Sequence, residues 1–291
     1  MTAGTSTSNK YVNRRKRLSR IGVEALWHAT MIAVCLIVMI PIILVVLGSF
    51  KTVPEFFRSP YGWPEDFKLD NYRKAWDEAN IPVTLRNSVI VTVAGVFIST
   101  ALACLAAYAL GRFVFSGRMA LRMIFVGGLV VPVQLIILPL FIILREIGLL
   151  GDMKSLILIY SAFGIPSAVL ILTGFFAALP RDLEDAARID GASHFEVFWR
   201  IMLPLTRPAL SAVVILNGVW MWNDFFLGFI LLNDPDQQTL PVGIMAFRGT
   251  YSTQYGLIFA SVTMSAIPIV AAYLALSRQF IAGLTAGSVK G

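Results

Sequence analysis

Two cysteines, two histidines and a charged fraction of only 14% leave these 291 residues little with which to build a metal centre or a covalent catalyst. Cys35 and Cys104 both fall inside long apolar runs, which excludes a disulfide framework or a cysteine metal site and makes both packing residues. His194 has polar neighbours and no second histidine near it, as expected of a solvated side chain and not of a ligand or proton relay. No Gly-rich phosphate loop ending in Gly-Lys-Ser/Thr occurs, nor a His-Glu-x-x-His or Cys-x-x-Cys pair. A membrane-embedded enzyme would need convergent polar groups, and none are evident.

What the chain has instead is apolar length. Hydrophobic residues make up 57% of it, and its mean hydropathy is strongly positive, which excludes a water-soluble globule. Six apolar runs of 21 to 24 residues span Ala25 to Gly48, Asn87 to Leu110, Met123 to Leu144, Ser155 to Ala178, Ala209 to Leu232 and Gly256 to Leu276. A helix rising about 1.5 Å per residue needs about 20 such residues to cross an apolar core of about 30 Å. Barrel strands would alternate over about 10 residues, so the runs predict an all-α integral membrane fold, a six-helix bundle. Basic residues precede the first run as they would a signal peptide. That run is too long for an h-region and no small-residue cleavage site follows, so it is expected to stay as an anchor.

Six crossings put both termini on one side. The tail 1–24, the loop 111–122, the segment 180–208 and the C-terminal tail carry 15 Lys/Arg, whereas the opposite loops carry nine against ten Asp/Glu. The positive excess marks the side of the termini as cytoplasmic. A pI near 9.6 is thereby explained by orientation, with no nucleic-acid partner implied. The expected organisation is a basic tail (1–24), a first span with an external loop (25–86), a five-helix core (87–278) and a short tail (279–291). The outward loop from Phe50 to Arg86 has enough prolines and aromatics for a small lid.

Between the fourth and fifth runs lies a segment unlike either, PRDLEDAARIDGASHFEVFWRIMLP, from Pro180 to Pro204. Pro180 closes the preceding helix and Asp182 is the expected N-cap of a new one, with Glu184 and Asp185 in its first turn. Leu183, Ala186 and Ala187 share a face, and the two alanines permit close approach of another surface. Gly191 ends that helix at C′ and needs a positive φ. Ser193 and Glu196 form a capping box for a second helix, whose Phe195, Phe198, Trp199 and Met202 make an apolar stripe before Pro204 breaks it. The pattern alone fits either a well-capped connector at the membrane face or a docking element.

Counting from Asp185, the order is acid, Ala186, Ala187, three residues, Gly191, nine residues, Ile201, one residue, Leu203, Pro204. This spacing resembles the EAA loop of the permease subunits of binding-protein-dependent ATP-binding-cassette importers. Asp185 stands where that family usually has Glu, with Glu184 just before it; the charge is kept. YALGRFVFSGR, VVPVQLIILPLF, WNDFF, TLPVG and the C-terminal QFIAGLTAGSVKG look like the carbohydrate branch, in particular the smaller maltose-type subunit. The resemblance covers Leu85 to Gly291.

It implies a bacterial inner-membrane protein whose coupling residues are Glu184, Asp185, Ala186, Ala187, Gly191, Ile201, Leu203 and Pro204. It implies as partners a pair of ATPase subunits, a second and different permease chain and an extracytoplasmic sugar-binding protein. ATP and Mg would sit on the ATPase, with no cofactor on this chain.

For the substrate path, Trp222, Asn223 and Asp224 within WMWNDFF, in the outer third of the fifth run, and Gln134 between Pro132 and Pro139 are the candidates. Trp220, Phe225 and Phe226 could add stacking surface. An interfacial aromatic belt with Asn and Asp capping toward water is the competing expectation, and Gln134 fits equally an internally bonded amide in a kinked helix. An ion- or proton-coupled secondary transporter is the alternative function. It would want ionisable groups near the bilayer centre, where the spans offer only Asp224, off-centre, and His28 near an inner end.

Overall fold

The computed structural model describes the backbone of residues 5–67, 69–249 and 253–288, with side chains from 23 to 277 within those ranges. In chain order come α1 (Thr5–Gly48), α2 (Val53–Arg58), α3 (Asp70–Glu78), α4 (Ile81–Arg112), α5 (Arg118–Val130), α6 (Val133–Glu146) and α7 (Met153–Ala178). There follow α8 (Asp182–Ile189), α9 (His194–Val197), a π turn (Phe198–Met202), α10 (Leu203–Leu205), α11 (Arg207–Asn223), α12 (Phe226–Leu231), α13 (Leu240–Gly243) and α14 (Tyr255–Ser288). Among the described residues α1, α4, α7 and α14 are each long and apolar enough to cross a membrane. The bent pairs α5 with α6 and α9–α10 with α11 bring the number of spans to as many as six.

Two expected spans are not continuous helices. The third run turns through 100° between α5 and α6, where Pro132 lacks an N–H and holds Val131 extended at φ −78°, ψ 111°. The fifth run stops at Asn223. Asp224 leaves the helical region at ψ 118°, and the chain resumes as α12. The fourth element, α4, starts at Ile81, earlier than the apolar run suggests. Pro82 is tolerated in its first turn, and Ile81 and Thr84 are buried, so packing extends the helix past its hydrophobic signal.

The centre of the bundle is α4 against α7, with α11 across both. Small residues let the backbones approach. A Cβ on Gly164 would lie 3.0 Å from Asn217 Nδ2, Met221 Cε and Ser99 Cβ, and one on Gly95 3.0 Å from Met221 Sδ and 3.2 Å from Tyr160 Cβ. The polar groups brought in by this contact satisfy each other. Asn217 Nδ2 donates to the Gly164 carbonyl at 3.1 Å, and Ser167 Oγ donates to Asn217 Oδ1 at 3.1 Å. By contrast the described side chains of α1, from Val23 on, are almost all exposed, and the helix meets α14 near its far end, where Gly48 abuts Phe259. Cys104 is buried as expected, but Cys35 lies on exposed α1 and packs against nothing in this chain's core.

The loop after α1 is a fixed cap, not a loose lid. Lys51 is 1% exposed and donates from Nζ to the carbonyls of Ser59 (2.7 Å), Pro60 (3.3 Å) and Gly62 (2.6 Å). Phe56 stacks on Tyr255 and meets Phe259 edge-on, seating the cap on the first turns of α14. The loop before α14 is strapped to α4 at the same end. Asn87 Nδ2 donates to the carbonyls of Asp236 and Gln238, and Leu240 N donates to Ser88 Oγ at 2.8 Å.

Candidate functional site

The segment Pro180 to Pro204 lies at the end of the bundle opposite this cap, where α4 ends and α7 has just ended. Its first helix starts one residue earlier than expected. Arg181 is the N-cap and lends no side-chain bond, so Asp182 is the first helical residue and not the cap. Pro180 delivers the chain directly into a helical Arg181, whose carbonyl accepts from Glu184 N (2.9 Å) and Asp185 N (3.1 Å). Asp182, Glu184 and Asp185 all stand in the first turn, the positive end of the peptide dipoles.

The faces of α8 divide differently from the predicted grouping. Glu184 and Ala187 turn inward. Ala187 packs against the buried cluster that holds Tyr108, Phe176 and Phe198, and Glu184 accepts a 2.7 Å bond from Arg112 Nε. Asp185, Ala186 and Ile189 turn outward, Ile189 being 87% exposed. The outward face is therefore acid–Ala–Ile, and the shared Ala186/Ala187 face divides between the exposed side and the core. No residue of α8 is fully buried.

Gly191 has φ +86°. Its N–H donates to Arg188 O (3.1 Å) while Ala192 N–H donates to Ala187 O (3.0 Å), the paired bonds of a Schellman turn. The second helix opens on the expected capping box: Glu196 N donates to Ser193 Oγ, and Ser193 N donates to Glu196 Oε2 at 2.9 Å. Phe198 and Met202 are buried, but Phe195 and Trp199 remain 67% and 60% exposed, so half the stripe faces the core and half faces outward.

Pro204 does not stop the helix. Leu203 N reaches back to Phe198 O across a π turn, and this widening lets a proline follow; the chain ends the segment at Thr206, where α11 departs at 73°. Ile201 and Leu203 pack on the same inner cluster as Ala187, and Pro204 sits half-buried in α10. Ile201 and Leu203 thus face the chain itself. His194 is exposed, with its ring edge against Phe113 at 5.1 Å.

The substrate-path candidates separate into roles. Trp222 is 7% exposed and its Nε1 donates to Ser265 O at 3.2 Å, tying α11 to α14. Asn223 is exposed and donates back to Val219 O at 2.7 Å. Asp224 caps α12 by accepting from Leu227 N at 3.0 Å, and its Oδ2 also accepts from Tyr160 O–H at 2.9 Å. Gln134 is exposed on the first turn of α6, just past the bend. At the break in α11 the accessible aromatics are Trp220, edge-on to Tyr160 at 5.4 Å, and Phe225, stacked on Phe229 at 5.1 Å. Phe226 packs into the core beside Leu227 and Leu231. An apolar groove of about 870 Å³ between α4, α11 and α14 has little to offer a hydroxylated ligand, being lined by residues such as Val93, Phe97, Leu210 and Ile269.

Two residues that sequence reasoning passed over organise these sites. Arg112 ends a helix and reads from sequence as one more basic loop residue; Tyr160 sits inside an apolar run and reads as lipid-facing or core. The signal available for both was a polar-tipped side chain at a position where the run had no need of one.

Residues 99–280 match the model for binding-protein-dependent transport system inner membrane components. The chain belongs to that family. It is 37% identical over 268 residues to a diacetylchitobiose uptake system permease protein of Streptomyces coelicolor, covering 91% of this chain and 89% of that one. It is also 33% identical over 262 residues to an arabinooligosaccharides transport system permease protein of Halalkalibacterium halodurans, covering 89% and 93%. A chain from the crystal structure of a bacterial ABC transporter that imports the acidic polysaccharide alginate shares the fold. That match has TM-score 0.73 and 21% identity, with 96% of this chain and all of that one covered. The protein is thus a multi-pass permease of an ABC importer.

Proposed function

We propose that this chain is the smaller permease subunit of an importer for a neutral or substituted oligosaccharide, with segment 180–208 as the docking element for a separate ATPase. The observation that carries the proposal is the outward face of α8. Asp185, Ala186 and Ile189 are exposed on a helix fixed at both ends by backbone bonds and built around the EAA spacing. A rigid helix with a small, open, acid-tipped face suits insertion into a cleft of a partner that moves on binding ATP, so that the bundle rocks as a rigid body. The saccharide class is supported by the names of the two relatives, both oligosaccharide permeases.

In this reading the cap end faces the extracytoplasmic binding protein, the Pro180 segment and both termini lie in the cytoplasm of a bacterial inner membrane, and a second permease chain completes the path. ATP and Mg act on the ATPase, and this chain performs no catalysis. The sugar passes the break in α11, where the exposed Asn223, its Nδ2 on Val219 O, has an amide oxygen to accept from hydroxyls, Trp220 and Phe225 offer ring faces, and Asp224 is held by Tyr160.

The deciding experiment is uptake into vesicles bearing the whole complex, with ATP and the proton gradient controlled separately. Uptake should require ATP inside the ATPase compartment and ignore collapse of the gradient; ATP-independent uptake that follows the gradient overturns the proposal in favour of a secondary transporter.

A further inference from the structure

We infer that Arg112 is a positioning residue that locks α8 to the inner ends of α4 and α7, so that the loop, α4 and α7 move as one body; this rests on the coupling role proposed above. The Arg112 side chain is 3% exposed. Its Nε donates to Glu184 Oε1 at 2.7 Å, its Nη1 to Phe176 O at 3.2 Å and to Leu179 O at 2.8 Å, and its Nη2 to Pro180 O at 3.4 Å. One guanidinium therefore joins the last residue of α4, the C-terminal carbonyls of α7, the linker and the first turn of α8.

The helix end explains why an arginine is required. The last carbonyls of α7 are short of donors, Phe176 O having from the backbone the long 3.3 Å bond of Leu179 N, and Leu179 and Pro180 lie in a non-helical linker. A planar fork with five donors in fixed directions satisfies these carbonyls and the carboxylate together; an ammonium, a compact point charge on a flexible stem, does not. Below the fork an aromatic layer joins the same elements, with Tyr108 5.6 Å from Phe176 and 5.1 Å from Phe198. Among the described residues the fork and the packing of Ala187 tie α8 to α4 and α7, beside its backbone turn into α9, and no residue of α8 is fully buried. Loss of Arg112 should therefore free α8 as a unit and leave its outward face of Asp185, Ala186 and Ile189 chemically intact.

The test uses the complete transporter in lipid nanodiscs. Spin labels are placed at Leu105→Cys on α4 and Asp190→Cys at the end of α8, with Cys35→Ser and Cys104→Ala, and the interspin distance is read with and without MgATP. With Arg112 present, a single narrow distance should persist through ATP binding. Arg112→Ala should lose it, giving a broad distribution that shifts when MgATP is added, and Glu184→Gln should broaden it while sparing the carbonyl bonds. Arg112→Lys should restore part of the narrow component. If Arg112→Ala does not insert, Glu184→Gln and Arg112→Lys decide.

A narrow, ATP-insensitive distance in Arg112→Ala or, failing that, in both other variants overturns the inference, even if the variants melt earlier. Cross-linking from Ile189→Cys to the ATPase is scored separately. Its absence in otherwise unaltered protein would sink the coupling role, while the distance measurement still judges the lock.

Discussion

Gly191 allows a sharp test of the segment between α7 and α11, because its surroundings separate two costs that usually come together. Its φ is +86°, a region L side chains rarely adopt, and nothing lies within 4 Å of where a Cβ would stand. Substitution therefore costs backbone strain and no clash. For an ordinary residue the left-handed region costs about 1–2 kcal/mol, which shifts the population of the correctly turned loop by a factor of about 5–30. Asparagine tolerates that region and should pay less.

The expected order of uptake is Gly191, then Asn, then Ala and Leu together, and substrate-stimulated ATP hydrolysis should fall in the same order. Leu should be no worse than Ala, because the extra atoms enter open space. The assay is uptake and ATP hydrolysis by the reconstituted complex, normalised to inserted permease. Wild-type uptake in both Gly191→Ala and Gly191→Leu would refute the need for the Schellman turn. A Leu variant far below Ala would show instead that a partner occupies the space beside Gly191, so that sterics and not φ decide.

Asp224→Ala should cost about 0.5–2 kcal/mol of stability by uncapping α12, and Asp224→Asn, which keeps an acceptor, much less. Comparable uptake by Asn at full stability assigns Asp224 to the cap, whereas loss of uptake in stable Asn assigns its charge to transport. A cysteine at exposed Ser116 should label from the cytoplasm only and one at exposed Ser59 from outside only, and labelling of Ser116 from outside would invert the orientation. The Asp152 carboxyl is held below its ordinary range by the backbone N–H of Lys154, with the Lys154 side chain adding to the effect. A depressed folded value means the cap stabilises α7 above the carboxylate range and is lost as pH falls through it. Protection of the amides at the start of α7, taken relative to their intrinsic exchange at each pH, should then fall on acidification in the unaltered protein and stay level in Asp152→Asn.

What the sequence revealed and what it hid follow from how each feature is encoded. The start of α14 and both ends of α7 came within a residue or two, since they are set by apolar length and by local caps such as Asp152. The turn at Gly191 and the Ser193–Glu196 box were legible for the same reason: both are contained within about six residues. The breaks at Val131–Pro132 and Asp224 were not, because hydropathy is continuous across them and only the pairing of Pro132 with extended Val131, or of Asp224 with Tyr160 64 positions away, reveals them. The bond that ties down Trp222 was hidden on the same grounds, its partner being a carbonyl on another helix. Glu184 stands among the coupling residues through the resemblance to the EAA loop, as the acid beside Asp185, and in the structure Arg112 holds it inward.

The two ends of the molecule meet on α7. Near its C-terminal end α7 gives the carbonyl of Phe176 to Arg112, and the linker beyond gives those of Leu179 and Pro180. Sixteen residues before Phe176 it presents Tyr160, whose hydroxyl holds Asp224 at the break in α11. At about 1.5 Å per residue these attachments stand about 24 Å apart along one helix. Between them Gly164 lies against Asn217, Met221 and Ser99, so the middle of α7 cannot slide past α11 or α4 without a steric cost. A displacement imposed at α8 therefore has a stiff route to the break, through close-packed backbone and two polar attachments. The weakly packed α1 and the 100° bend at Pro132 lie off that route and can adapt to it. Tyr160→Phe removes the far attachment alone. It should leave ATPase docking untouched and lower uptake, and unchanged uptake would show that the break in α11 takes no orders from α7.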